Sequence, residues 1–89
     1  MVNGVKSERE QLADLIERFV SGNVRPHEWD DFLSVRFDDA ELESIRRACD
    51  ELPSRFPPRR RGEYCNDEGA AELLVIARRL REHPTAGQN

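Results

Sequence analysis

The apolar residues of this chain recur at intervals of three and four, which is the spacing of one helix face. A first helix over 8–20 is predicted by Leu12, Leu15, Ile16, Phe19 and Val20. Ser7 and Glu10, three residues apart at the start of this segment, predict a capping box. Gly22 is expected to end the helix, because glycine adopts the left-handed conformation without steric cost.

A short second helix is predicted from Pro26, since proline suits the first turn of a helix. Trp29, Phe32 and Leu33 stand at i, i+3 and i+4 and would form one apolar stripe. We therefore expect Trp29 in the core. The preceding link is short, so the first two helices should be neighbours in space.

A third helix is predicted to begin with Asp38 as its cap and Glu41 at the third position. Its apolar stripe is Leu42, Ile45, Cys49 and Leu52. Pro53 is expected to end this helix, because the residue before a proline is disfavoured in the α conformation. Cys49 would then be a small core residue.

An irregular loop over 53–65 follows, with three prolines and the run Arg59–Arg61. Phe56 and Tyr64 should hold the loop ends on the core, with the Tyr hydroxyl reaching water or a backbone partner. Asn66 is a suitable cap for the last helix, which Pro84 would close. Its inward residues are predicted to be Leu73, Leu74, Ile76, Ala77 and Leu80.

The pattern contains neither strand-like alternation nor an internal repeat. It predicts an all-α fold, a compact bundle of three long helices and one short helix, with the Pro/Arg-rich loop before the last helix. The 89 residues suffice for a single domain over 1–89, with 1–6 and 84–89 expected to be frayed tails.

Composition narrows the class of protein. Hydrophobic residues make up 37% and charged residues 36% of the chain, so the apolar positions must be well segregated for folding. The two cysteines have no paired spacing, which fits a reducing compartment. Neither an apolar signal segment nor a run of about 18 apolar residues is present. We therefore expect a soluble, cytoplasmic protein with no membrane partner.

Charge is distributed unevenly. The chain has a net charge of −4, which argues against nucleic acid as a partner. Residues 27–51 contain nine acidic and three basic residues, and residues 52–65 contain one acidic and four basic residues. We call 27–51 the acidic block. It favours a protein partner with a basic surface, with Trp29 or Phe37 as an aromatic anchor if exposed. The candidate partner-binding residues are Glu28, Asp30, Asp31, Asp38, Asp39, Glu41 and Glu43.

Nothing in the sequence indicates catalysis. His27 and His83 are far apart and have no nearby nucleophile, and neither CxxC nor HxxxH spacing supports a zinc site with Cys49 and Cys65. Cys65, close to the loop arginines, could be reactive, but a structural role is the simpler interpretation. A bundle of this size also leaves little room for a ligand cleft. We expect a non-enzyme without cofactor or metal.

One family resemblance emerges from two segments. Ile16-x-x-Phe19-x-Ser21-Gly22 precedes Glu28-Trp29, and Tyr64-x-x-Asp67-x-Gly69 leads into the last helix. This arrangement resembles the colicin D immunity proteins and related small helical bacteriocin immunity proteins. The resemblance implies a four-helix antitoxin whose carboxylates cover the basic active-site surface of a nuclease toxin. It assigns no individual acidic residue, and the Pro/Arg-rich loop departs from the family pattern.

Two other functions fit the sequence. The chain could be a structural or regulatory adaptor that self-associates through a spare apolar face. Alternatively, Arg55 and Arg59–Arg61 could contact RNA, although the simpler interpretation is that the loop arginines partly neutralise the acidic block. A salt-sensitive association would indicate the acidic binder, whereas a salt-insensitive one would indicate the adaptor.

Overall fold

The computed structural model describes residues 7–82, which form four α-helices and contain no strand. In chain order the helices are α1 Glu8–Ser21, α2 Glu28–Ser34, α3 Ala40–Arg55 and α4 Asp67–Glu82. The predicted all-α bundle of three long helices and one short helix is confirmed. The predicted tails, 1–6 and 84–89, lie outside the described residues. None of the helices within 7–82 is long and apolar enough to cross a membrane.

Local capping signals were predicted correctly at three helix ends. The Ser7 hydroxyl accepts a hydrogen bond from the Glu10 N–H at 3.2 Å, and the Glu10 carboxylate accepts one from the Ser7 N–H at 3.3 Å. Gly22 follows α1 in the left-handed conformation with φ of 80°. Asn66 precedes α4, and its side-chain oxygen accepts from the Gly69 N–H at 3.0 Å. These contacts satisfy backbone groups that have no partner inside the helix.

The predicted starts of α2 and α3 were both wrong, because each helix begins later in the chain than expected. The Glu28 N–H bonds to the Arg25 carbonyl at 3.1 Å, which closes a turn around Pro26, so α2 begins at Glu28 rather than at the proline. At α3 the cap is Asp39 and not Asp38. The Asp39 carboxylate accepts from the second and third backbone N–H groups of the helix at 2.8 and 3.0 Å.

Pro53 does not end α3, contrary to the prediction, because the helix continues to Arg55. A proline inside a helix leaves the carbonyl four residues earlier without its N–H donor. That carbonyl belongs to Cys49, and the Tyr64 hydroxyl donates to it at 2.7 Å. The predicted backbone partner of Tyr64 is thus confirmed, and it occupies the position that the missing N–H would have filled.

The core is built from one stripe of each helix. Its buried apolar residues are Leu12, Ala13, Leu15, Ile16, Trp29, Phe32, Leu42, Cys49, Leu52, Leu73, Ile76, Ala77 and Leu80. The expected burial of Trp29 and Cys49 is therefore confirmed. Leu74 was predicted to face inward, but its side chain is 46% exposed. It follows the fully buried Leu73, and one helical residue corresponds to a rotation of about 100°, which turns Leu74 away from the core.

Two contacts show that α1 and α4 run antiparallel. At one end the Arg9 Nε donates to the Leu80 carbonyl at 3.4 Å. At the other, the Phe19 ring meets the Tyr64 ring edge-on at 5.2 Å between centroids. Phe19 also stacks on Trp29 at 3.8 Å, so the aromatic cluster joins α1, α2 and the loop before α4. Such aromatic pairs stabilise beyond the area they bury.

Candidate functional site

Glu28, the first residue of the acidic block on α2, is paired within the chain. Both of its carboxylate oxygens accept from the Arg18 guanidinium at 2.8 Å, and one also accepts from the Arg25 N–H at 3.3 Å. The Arg18 hydrogen bond and then the Arg25 hydrogen bond lower the pKa of Glu28 to about 2. This carboxylate therefore holds α2 against α1, and its charge is largely compensated.

Two glutamates of α3 are also compensated by arginines. Glu43 accepts from the Arg46 guanidinium and from the Phe37 N–H, which lies at 3.0 Å, and these bonds lower the pKa of Glu43 to about 2. Glu41 forms an ion pair with Arg9 of α1. Both carboxylates join chain segments rather than project freely into solvent.

The remaining four acids of the predicted set are aspartates in two different situations. Asp39 caps α3 through its carboxylate. Asp30, Asp31 and Asp38 are exposed, and within residues 7–82 no side chain forms a hydrogen bond or ion pair with their carboxylates. We call Asp30, Asp31 and Asp38 the unpaired aspartates. Unlike the three glutamates, they form no ion pair with a described residue.

A groove of about 420 Å³ lies between α1 and α2. Its apolar lining consists of Leu12, Leu15, Phe32 and Phe37. Its polar lining consists of Glu8, Gln11, Asp14, Arg18 and Glu28. The sequence indicated little room for a cleft, so a groove within the usual range of ligand-pocket volumes corrects that expectation.

Helix geometry places the unpaired aspartates differently around this groove. Asp31 lies one turn after Glu28, which lines the groove, so both are on the same side of α2. Asp38 directly follows Phe37, another lining residue. Asp30 is two residues from Glu28 and therefore projects from nearly the opposite side of α2. Asp31 thus lies on the groove side of α2, and Asp38 adjoins a lining residue in the chain.

Acidic residues of α1, which were not predicted as site residues, form the other side of the groove. Glu8 and Asp14 line it with Leu12 and Leu15. Asp14 also bonds to Arg81 of α4 at 2.6 Å. The short link predicted that α1 and α2 would be neighbours, but it did not indicate that the α1 face with Glu8, Leu12 and Leu15 would lie opposite α2. The result is an apolar floor between two acidic sides, which we call the acid-rimmed groove.

The other groups singled out in the sequence take structural positions. Burial raises the pKa of the Cys49 thiol to about 12 and also raises that of Cys65, so neither thiol is activated by the nearby arginines. Within residues 7–82 no cluster of three or more His, Cys, Asp or Glu residues could hold a metal ion, and His83 lies outside this range. The described ion pairs of the loop arginines connect Arg60 to Glu63 and Asp67, which lie outside the acidic block.

The acid-rimmed groove has the chemistry of a binding surface for cations. Its apolar floor can accept the methylene groups of lysine or arginine, and the carboxylate of Glu8, which forms no ion pair within residues 7–82, can attract their charged ends. Arg18 is the single basic residue among those that line it. No protein-family model, curated protein or solved structure matches this chain. The groove and its charges are therefore the basis for a functional proposal.

Proposed function

We propose that this chain is a small acidic binding protein whose acid-rimmed groove accepts a basic protein surface. The observation that carries this proposal is a groove with apolar and acidic lining residues, two of which, Phe32 and Phe37, adjoin Asp31 and Asp38 in the chain. Both aspartates are exposed and form no ion pair within residues 7–82. Retaining unpaired charge of one sign at a concave apolar surface favours association with a partner of the opposite sign. Neither a protein interior nor an ordinary solvated helix face requires unpaired charges next to a concave apolar surface.

We further propose that the partner is a basic nuclease-toxin domain that the chain inhibits in the manner of an immunity protein. The two-segment resemblance to bacteriocin immunity proteins and the all-α bundle support this assignment. A nuclease binds polyanionic RNA or DNA through a basic surface, and carboxylates around a groove can occupy that surface in place of phosphates. Inhibition then results from occlusion and requires no chemistry by the inhibitor.

The test is co-purification of the tagged protein with the product of the neighbouring gene, followed by a binding titration at several salt concentrations. Asp31→Lys combined with Asp38→Lys should weaken binding by about tenfold or more and reduce its salt dependence, because attraction at the groove becomes repulsion. Asp50→Lys combined with Glu51→Lys is the matched control. These exposed acids of α3 lie outside the groove and change the net charge equally.

The outcomes separate the two parts of the proposal. Equal loss of binding in both double variants would show that net charge alone acts and would remove the groove from the proposal. A partner that binds through the groove but lacks nuclease activity would overturn the immunity assignment and leave the binding function. Nuclease activity that falls with added wild-type protein, and less with the groove variant, would support both parts.

A further inference from the structure

The outward face of α4 exposes apolar surface that the bundle does not cover. Leu74 is 46% exposed and Val75 is 49% exposed. Only one other large apolar side chain within residues 7–82 is exposed, namely Val35. Ala71, one turn before these two residues, is exposed as well. The middle of α4 therefore presents a short apolar stripe to solvent on the side opposite its buried residues.

Charges of opposite sign stand at the two ends of this stripe. Asp67 and Glu68 occupy the first turn of α4, and Arg78 and Arg79 follow the apolar residues. Asp67 lies 3.7 Å from Arg60, whereas Glu68, Arg78 and Arg79 have no ion pair within residues 7–82. From Glu68 to Arg78 the face is acidic, then apolar, then basic along the helix axis, and the exposed Glu82 ends the helix one turn later.

We propose that this face binds a second copy of the same chain, with the two α4 helices antiparallel. Antiparallel pairing about a two-fold axis near residue 73 brings Glu68 of each copy opposite Arg78 of the other. Ala71 of each copy then faces Val75 of the other. The rise of about 1.5 Å per residue separates Glu68 and Arg78 by roughly 15 Å, so both ion pairs form at once while the apolar stripe is covered.

The order of the charges along α4 favours a second copy of the chain as the partner and an antiparallel arrangement of the two helices. A parallel pair would place Glu68 against Glu68 and Arg78 against Arg78, which is repulsive at both ends. An unrelated partner would need the same acidic, apolar and basic order in reverse, and a second copy supplies it by symmetry. A single helix pair buries less area than a standard protein interface of about 1,600 Å², so the dimer should be weak.

Sedimentation velocity from about 1 µM to about 1 mM tests the dimer, and an increase in mean mass with concentration is the expected result. Leu74→Glu should abolish the increase. Val35→Glu is the matched control, since Val35 is equally apolar and 58% exposed but lies outside α4. A mass that stays monomeric throughout, or an equal effect of both variants, would overturn the proposal.

Charge reversal tests the direction of pairing. Glu68→Lys and Arg78→Glu should each weaken association by about tenfold, because each makes both end contacts repulsive. The double variant should restore association to within about threefold of the wild type, since each contact again joins opposite charges. Failure of this restoration, with the helix content unchanged by circular dichroism, would overturn the antiparallel arrangement.

The dimer does not depend on the proposed inhibitor function. The α4 face and the acid-rimmed groove share no residue. A chain that dimerises but binds no basic partner would contradict only the inhibitor proposal. A chain that binds such a partner but remains monomeric would contradict only the dimer.

Discussion

The Tyr64 side chain supplies the hydrogen-bond donor that Pro53 lacks. The proline has no N–H to donate to the Cys49 carbonyl, and an unpaired buried carbonyl costs free energy. The Tyr64 hydroxyl donates to this carbonyl at 2.7 Å, and Tyr64 also contacts the aromatic cluster through its ring. One residue of the loop therefore stabilises both the end of α3 and the packing between helices.

Tyr64→Phe tests this compensation, because the ring is kept and only the hydroxyl is lost. We expect the variant to lose about 1 to 2 kcal/mol of unfolding free energy, the usual cost of leaving a buried acceptor without a donor. In a Pro53→Ala background residue 53 regains its N–H, so the same change should cost less than about half as much. Urea unfolding of the four variants measures this coupling, and an equal cost in both backgrounds would contradict it.

At the scale of elements, Gly69 decides how closely the loop before α4 approaches that helix. A Cβ atom added at this position would lie 2.8 Å from the Cys65 Sγ, 2.9 Å from the Cys65 Cβ and 3.0 Å from the Phe56 Cβ. These distances are shorter than ordinary contacts, so an alanine would have to displace the loop. Glycine is therefore required here by packing, although it is a poor helix former.

Gly69→Ala should consequently destabilise the protein by about 1 to 2 kcal/mol, although alanine is favoured in an exposed helix by about 1 kcal/mol. Thermal unfolding measures the change. Ser44 provides the control, because it is exposed in α3, and there an alanine variant should be more stable than a glycine variant. If alanine stabilised both positions, the close approach of the loop to α4 would be refuted. Cys65→Gly should relieve part of the cost at Gly69.

The observed ends of the helices show which helix boundaries can be predicted from the sequence. Contacts within one turn, such as the capping box of Ser7 and Glu10, depend on residues three apart and were predicted correctly. The continuation of α3 through Pro53 depends on Tyr64, which lies outside that helix, so local preference was misleading. Asp38 and Asp39 are equally good caps by residue type, and only the backbone geometry distinguishes them.

At the scale of the whole molecule, ion pairs between separate segments decide where the available charge lies. The sequence showed an acidic block but not its arginine partners. Arg9 and Arg18 reach Glu41 and Glu28 from another helix, across 32 and 10 positions in the chain. The predicted site therefore combined exposed aspartates such as Asp31 and Asp38 with glutamates that tertiary contacts compensate, and the sequence could not separate the two groups.

The same ion pairs predict how stability depends on pH. The pKa of Glu28 is about 2 in the folded protein and about 4.3 for a free glutamate side chain. A carboxyl whose pKa is lowered by folding stabilises the folded state above its unfolded pKa, and this stabilisation is lost as the pH falls through the folded pKa. The Arg18–Glu28 pair should thus contribute fully near neutral pH and progressively less from about pH 5 to about pH 2. Glu43, with the same lowered pKa, should act over the same range.

Comparison of the wild type with Glu28→Gln isolates this contribution, because glutamine keeps the shape of the side chain and removes its titration. The wild type should melt at a higher temperature at neutral pH, and the difference should shrink toward zero as the pH falls from about 5 to about 2. Asp31→Asn is the matched control, since this exposed carboxylate has no ion pair within residues 7–82. A difference for Glu28→Gln that is independent of pH, or one that Asp31→Asn reproduces, would show that the pair with Arg18 does not hold α2 against α1. The expected result would instead show that the Glu28 carboxylate stabilises the fold, whereas the Asp31 carboxylate does not and remains available to a partner.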